Sequence, residues 1–411
     1  MTKTNTEIRE AVNRLIAAGH PKTDAITQVA KEAGVLRENV KRRLRAHTSR
    51  KIGQFVPDAE DPALMRRTIH DLELALAEQQ EQVLDAVHVR KTIFRLKDYD
   101  NPYPAWMQKI ESLGGSPGAP TLFLSDWHWG EVVVPEQVFG VNKFNSAIAK
   151  TRMEYCVQKA IRLLDEHIVH GKDIPGFVLC LGGDMVSGNI HEDLTVTNDS
   201  EMMAQTRDAY RVLYSAVEYI ANRYKDLPIQ IYGVPGNHGR TSKKPRAKFY
   251  AESNFDWLIY TVLEDMVKSS AWSKNIKFFC PPARDLTYTL AGHNFRLTHG
   301  DAFKGGDSMI GALGPVVRGA KKKHSQAMSL PVVTEHFDTM LVGHWHSYLS
   351  SPRIIMNGSG KGFDELALTN YGFDFEPPQQ ALFITHPRWG INYAMPVICD
   401  PGFDHSKRGK A

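Results

Sequence analysis

Apolar residues recur with two different periods along the 411-residue chain, and the change of period divides it. From residue 120 to about 400, short apolar runs alternate with amphipathic stretches. TLFLSD, GFVLCLGGD, PIQIYGVPGNH, FRLTHGD and TMLVGHWH each read as a buried strand that ends abruptly in polar residues. Helical periodicity fills the intervals near 143–168, 200–224 and 247–268. Such alternation predicts an α/β fold layered around a buried sheet. Residues 276–299 and 349–395 read as more continuously β, with tight loops, and predict a second sheet packed on the first.

The N-terminal part is different. Residues 6–17 place Ile8, Val12, Leu15 and Ile16 at helical spacing and stop at Gly19 and Pro21. A second short helix carries Ile26, Val29 and Ala30 into a turn at Gly34, and LRENVKRRLRAH follows as a third. In that third helix Val40 and Leu44 face inward, leaving Arg37, Lys41, Arg42, Arg43 and Arg45 toward solvent. The pattern resembles a helix-turn-helix whose basic helix enters a major groove or lies along phosphates. A small basic three-helix module that binds protein is the competing reading. Between 61 and 96, Met65, Ile69, Leu72, Leu76, Val83 and Ala86 keep a 4-3 spacing broken by Gln79. It predicts either a helix packed on the body of the protein or a short coiled coil that makes a homodimer. Residues 98–120, rich in Pro, Gly and polar side chains, read as a linker. The expected division is therefore a basic module over 1–56, a helical spacer and linker over 57–118, and a main domain over 119–411.

Charge sharpens this picture. The net charge of +4 hides an asymmetry, because residues 1–56 hold 12 Lys and Arg against 5 Asp and Glu. A basic head on a slightly acidic body points to a polyanionic partner at one end. The four cysteines, Cys156, Cys180, Cys280 and Cys399, form no C-x-x-C pair and read as buried thiols of a reducing compartment. Neither a leader-like h-region nor a long apolar run occurs, so a cytoplasmic protein without a membrane partner is expected.

The chemistry collects where the strands end. In order these ends carry Asp126-Trp127-His128, Gly183-Asp184, Gly236-Asn237-His238, His299-Gly300-Asp301 and Gly343-His344-Trp345-His346. A lone His or Gly-Asp beside an apolar run is usually structural or a turn. Five such clusters in succession, spaced at about one strand-helix-strand unit, can converge on one sheet edge, where α/β proteins gather functional groups. Carboxylate, imidazole and amide oxygen together suit Mn²⁺, Fe²⁺ or Zn²⁺ better than all-oxygen ions. Two such ions need a bridging carboxylate, and an Asp flanked by glycines, as in Gly182-Gly183-Asp184, allows the close approach.

This order of blocks, D-x-H, G-D, G-N-H, a later H and a final G-H-x-H, resembles the calcineurin-like metallophosphoesterase superfamily over residues 120–400. The resemblance implies a four-layer α/β/β/α sandwich and two divalent metal ions, Mn²⁺ first, with Zn²⁺, Fe²⁺ or Mg²⁺ as alternatives. It implies that Asp126, His128 and His346 bind one metal, that Asn237, His299 and His344 bind the other, and that Asp184 bridges them. It also implies that His238 acts as the catalytic residue, protonating the leaving oxygen or stabilising charge on the phosphoryl group. Two departures stand out. Gly239 follows the G-N-H block where the family often has an acid. GDMVSGN carries Ser187, Gly188 and Asn189 where protein Ser/Thr phosphatases have an acid, an arginine and a glycine, which argues against a phosphoprotein substrate. His191 reads as a loop histidine, with substrate contact as the alternative.

Two basic runs bear on the substrate. Arg240, Lys243, Lys244, Arg246 and Lys248 follow the G-N-H block, and Arg318, Lys321, Lys322 and Lys323 lie between His299 and His344. Placed at the rim of a site, they would hold a long polyanion. With the basic head they predict a nuclease or phosphodiesterase acting on nucleic acid, DNA first, similar to the DNA-repair exonuclease branch, although no partner ATPase is written in the chain. A phosphomonoesterase or small-molecule phosphodiesterase is the alternative. A DNA-binding regulator that retains the domain as a scaffold is a third reading, which the complete ligand set opposes.

Overall fold

The structure, a computed structural model, describes residues 5–18, 22–32, 115–304, 311, 313–329, 336–371 and 375–407. The chain divides into two compact units, Met1–Arg95 and Leu96–Ala411. In the first unit, α1 (Asn5–Ala17) and α2 (Lys22–Glu32) bury Val12, Ala25, Ile26, Val29 and Ala30 against each other. Ile16, one of the apolar residues at helical spacing, is 38% exposed. The expected third helix, with Arg37, Lys41, Arg42, Arg43 and Arg45, and the spaced apolar residues of 61–96 lie outside the described residues.

Among the described residues of the second unit, the first strands are β1 (Ala119–Leu124), β2 (Phe177–Leu181) and β3 (Ile229–Gly233), each buried along its whole length. They are parallel neighbours, joined by α3 (Ser146–Arg162) and by α4 (Glu192–Thr197) with α5 (Met202–Arg223). After α6 (Phe255–Lys268), β4 (Ile276–Phe279) adds parallel to β3. A second sheet starts with the hairpin β5 (Asp285–Leu290) and β6 (His293–Thr298). Helix α7 (Leu313–Ser329) then leads to β7 (Thr339–Val342), β8 (Leu349–Ser350) and β9 (Ile354–Met356). The chain returns to the first sheet with β10 (Gln379–His386) and β11 (Gly390–Ile398). The orders are β11-β10-β1-β2-β3-β4 and β5-β6-β7-β9-β8. The two late segments expected to build the second sheet are therefore shared. β4 extends the first sheet at the β3 edge, and β10 with β11 extends it at the other, where β10 pairs antiparallel with β1.

Alternation along the strands explains the packing. Leu122, Leu124, Leu179, Leu181 and Ile231 share one cluster with apolar residues of α3, α5 and α6. The residues between them, Phe123, Val178, Cys180 and Tyr232, join Tyr288, Phe295, Leu297, Leu341 and Ile355 of the other sheet. A strand buried on both faces turns alternate residues into two cores rather than into core and solvent, which is why these read as nearly continuous apolar runs. On the second sheet, Met340, Val342, Ile354 and Met356 pack with Val316 of α7.

Register sets up the site. Leu124 pairs with Leu181 and Leu181 with Gly233, so Asp126, Asp184 and Asn237 follow strands that end level. In the second sheet Thr298 pairs with Val342, which brings His299 and His344 out together.

Candidate metal centre

Backbone contacts fix the loops before any side chain is considered. Trp127 N and His128 N both donate to Asp184 O, at 2.9 and 3.0 Å, and Asp126 N donates to Gly183 O at 3.0 Å. A Cβ on Gly183, whose φ is +87°, would lie 2.2 Å from Gly236 N, so the second and third loops touch backbone to backbone. Asp126, His128, Asp184, His344 and His346 all have φ between +46° and +68°. Such backbone costs an L-residue about 1–2 kcal/mol, and it persists only where the surroundings over-determine it, commonly at functional sites.

On these loops the predicted donors converge. Side-chain donor atoms of Asp126, His128 and His346 lie within 4.8 Å of one another, as do those of Asp184, His299 and His344, and those of His128, Asp184 and His238. His128 Nε2 and His346 Nε2 stand 3.0 Å apart, and Asn237 Oδ1 is 3.1 Å from His299 Nε2. Both carboxylate oxygens of Asp126 accept from His344 N, which ties the two sheets together at the site.

The tautomers are set from behind. His299 Nδ1 meets Gly182 O at 2.8 Å and His238 Nδ1 meets Ser187 O at 2.7 Å, so each carries its proton on Nδ1 and turns Nε2 inward. His128 Nδ1 points at Glu131 Oε2, 3.4 Å away. Burial holds His128 well below the usual imidazole range, with the Lys361 ammonium adding to it, and lowers His344 to about 4. Burial lowers His238 too, against the pull of Asp184. At His299 burial is outweighed by the facing Asp184 carboxylate, which lifts the imidazole to about 10.

These residues fit divalent cations. Asp184 Oδ2 is buried, lies 3.0 Å from His299 Nε2 and 4.0 Å from His128 Nε2, and has no hydrogen-bond partner aligned with it. A buried, unsatisfied carboxylate oxygen facing inward-turned imidazole nitrogens needs positive charge to offset its desolvation. Nitrogen and oxygen donors mixed in this way suit borderline transition ions.

The other predicted residues divide. The Arg240 guanidinium donates to the carbonyls of Asn237, Ser242 and Lys243, and so braces its own loop. Lys243 is exposed, 3.4 Å from Glu192, while Lys244, Arg246 and Lys248 are exposed beside it. Lys321 and Lys322 are exposed on α7, and Lys323 is paired with Asp285. His191 is exposed as a loop residue, yet its ring lies 5.4 Å from that of His238.

Several buried groups at the site gave no sequence signal. Lys361 is paired with Glu131 at 2.7 Å and with Asp364, and the three form a buried cluster behind His128. Asp301, named in the sequence only as part of the His299 block, accepts from Tyr250 and Arg284 through Oδ2. Asp256, at the start of α6, lies under the second and third loops. A lone acid in a loop or first helical turn resembles ordinary capping, and only the ligand-bearing blocks repeat an apolar-run-then-donor pattern.

No match was found among curated proteins. A family model described as calcineurin-like phosphoesterase matches residues 119–348, the span that holds β1 to β7 and every donor named above. With that span and that donor set in one chain, the protein belongs to the calcineurin-like phosphoesterase family, hydrolases that cleave phosphoester bonds with divalent metal ions.

Proposed function

We propose that the protein is a dinuclear, metal-dependent phosphodiesterase acting on nucleic acid, with DNA the first candidate. The observation that carries the metal part is the overlap of three donor groups, in which buried Asp184 shares one group with His128 and another with His299 and His344, while Asn237 stands against His299. Asp126, His128 and His346 would hold one ion, Asn237, His299 and His344 the other, and Asp184 would reach both. Three hydrophobic clusters, each between adjacent helices or sheets, support reading the domain as a four-layer α/β/β/α sandwich.

Bound divalent cations, Mn²⁺ first by donor chemistry, supply Lewis acidity that neutralises phosphoryl oxygens and makes water a better nucleophile. The chain's own residues do the rest. His238 is held by Ser187 O with Nε2 facing the donors, so it is placed to carry a proton at Nε2 to the leaving oxygen. The Ser187 carbonyl thus orients His238 from the segment that follows Asp184. Lys243, Lys244, Arg246 and Lys248 stand exposed on the loop that leaves Asn237 and His238. That run next to the proton-transfer residue favours an extended polyanion over a small ester. The expected helix-turn-helix over 1–56 would add non-specific phosphate contacts.

A screen of Mn²⁺, Zn²⁺ and Mg²⁺ against plasmid, single-stranded DNA, RNA, cyclic nucleotides and p-nitrophenyl esters tests this reading. Mn²⁺-loaded protein should cut DNA and bis-p-nitrophenyl phosphate. Efficient hydrolysis of p-nitrophenyl phosphate with DNA intact across a range of salt would establish the phosphomonoesterase alternative instead.

A further inference from the structure

The Asp184 loop and the Asn237 loop touch backbone to backbone, and one buried carboxylate lies beneath both. Asp256 Oδ2 accepts from Asp184 N and from Gly236 N, both at 2.8 Å, and Asp256 Oδ1 accepts from Met185 N at 3.0 Å. Asp256 is fully buried, so these bonds form without competition from water. Asn254 completes the bracket: its Oδ1 accepts from Asp256 N at 2.8 Å and its Nδ2 donates to Gly236 O at 2.7 Å.

This bracket occupies the place an acid after the G-N-H block would need. A Cβ on Gly239 would lie 2.4 Å from Asn254 Oδ1 and 3.1 Å from Asp256 Cγ. Glycine at 239 is thus the counterpart of an acid delivered from α6. Asp184 has φ +51°, a conformation that is strained for an L-residue, and charge-assisted bonds to its own N–H and the next one pin that turn.

We infer that Asp256 is a positioning residue of the metal centre: its carboxylate locks the left-handed turn that aims Asp184 and the turn that presents Asn237. The inference rests on the reading of Asp184 and Asn237 as ligands. Backbone partners of this kind act as the outer hydrogen bonds of a metal site do, where their loss lowers metal affinity by roughly 10–100-fold.

Asp256→Asn keeps the shape but offers an N–H₂ to one of three donors. Its test pairs calorimetric Mn²⁺ titration with amide exchange of the metal-free protein. A second variant, Val267→Ala, removes buried packing from the same helix without touching either loop, and serves as the control for lost stability. Asp256→Asn should weaken Mn²⁺ binding by about 10–100-fold and speed exchange at Asp184, Met185 and Gly236, with KM for bis-p-nitrophenyl phosphate at saturating Mn²⁺ unchanged. Val267→Ala should lower the unfolding temperature and leave Mn²⁺ affinity as it is. Wild-type Mn²⁺ affinity in Asp256→Asn, or an equal loss in Val267→Ala, would overturn the inference. A wild-type protein that takes up no Mn²⁺ would overturn the ligand reading itself.

Discussion

Asp184 and His238 share a hydrogen bond, His238 N to Asp184 Oδ1 at 2.7 Å, but are expected to fail in different ways. Asp184→Asn removes the one carboxylate that faces both donor groups, so bound metal and activity should disappear together, as read by elemental analysis beside hydrolysis of bis-p-nitrophenyl phosphate. His238→Ala should keep its metal and lose about 10²–10⁴-fold in kcat, the usual worth of a positioned proton carrier. A His238→Ala protein with wild-type kcat would remove that role. Behind the ligands, Lys361 is buried between Glu131 and Asp364, and these two carboxylates respond differently. Burial raises Glu131, whereas at Asp364 burial is outweighed by Lys361 and the carboxyl is held low. Lys361→Met would strand both carboxylates in the interior. Urea denaturation should show a loss of about 3–5 kcal/mol, as for other buried pairs broken from one side.

At the level of elements, each strand end was legible because its candidate donor follows an apolar run. The runs at 121, 177, 229, 295 and 339 announced β1, β2, β3, β6 and β7, whose ends carry the seven candidate donors. Sheet membership was not legible, since β10 is chosen by antiparallel pairing with β1, some 260 residues earlier in the chain, and nothing local in 379–386 encodes that partner. Asp256 and Glu131 were equally silent, because their meaning depends on which loops arrive beside them. Helix α7 was foreseen only as a basic run, and its tether to the second sheet is Asp285, which takes Lys323, Arg296 and Thr298. Burial raises the Asp285 carboxyl, but Lys323 and Arg296 outweigh it and hold it below the usual range. A depressed carboxyl stabilises the fold fully above its unfolded value of about 4 and loses that contribution as pH falls through the lower folded value. The stability gap between wild type and Asp285→Asn should therefore be widest near neutrality and shrink as urea melts are taken from about pH 6 toward pH 3. A gap that stays constant over that range would deny the tether its charge.

Across the whole molecule, charge is distributed by position more than by amount. The +4 total combines a basic head, a basic loop beside Asn237-His238 and a basic stretch on α7 with a body in which Asp126, Asp184 and Asp301 stand at the strand ends. Among the described residues no helix is long and apolar enough to cross a membrane, and all four cysteines are free and buried. Burial pushes the Cys180 thiol up to about 12, which keeps it out of thiolate chemistry. If the head delivers nucleic acid, removing residues 1–56 should weaken DNA binding and flatten its dependence on salt, while bis-p-nitrophenyl phosphate is hydrolysed as before. Unchanged DNA affinity in that truncation would assign the head to protein assembly. The central claim is that seven donors at five strand ends build one two-ion centre, and metal counting addresses it most directly. After equilibrium dialysis against Mn²⁺, elemental analysis should find two ions per wild-type chain and none retained by Asp184→Asn; one ion or none in the wild type would contradict the account.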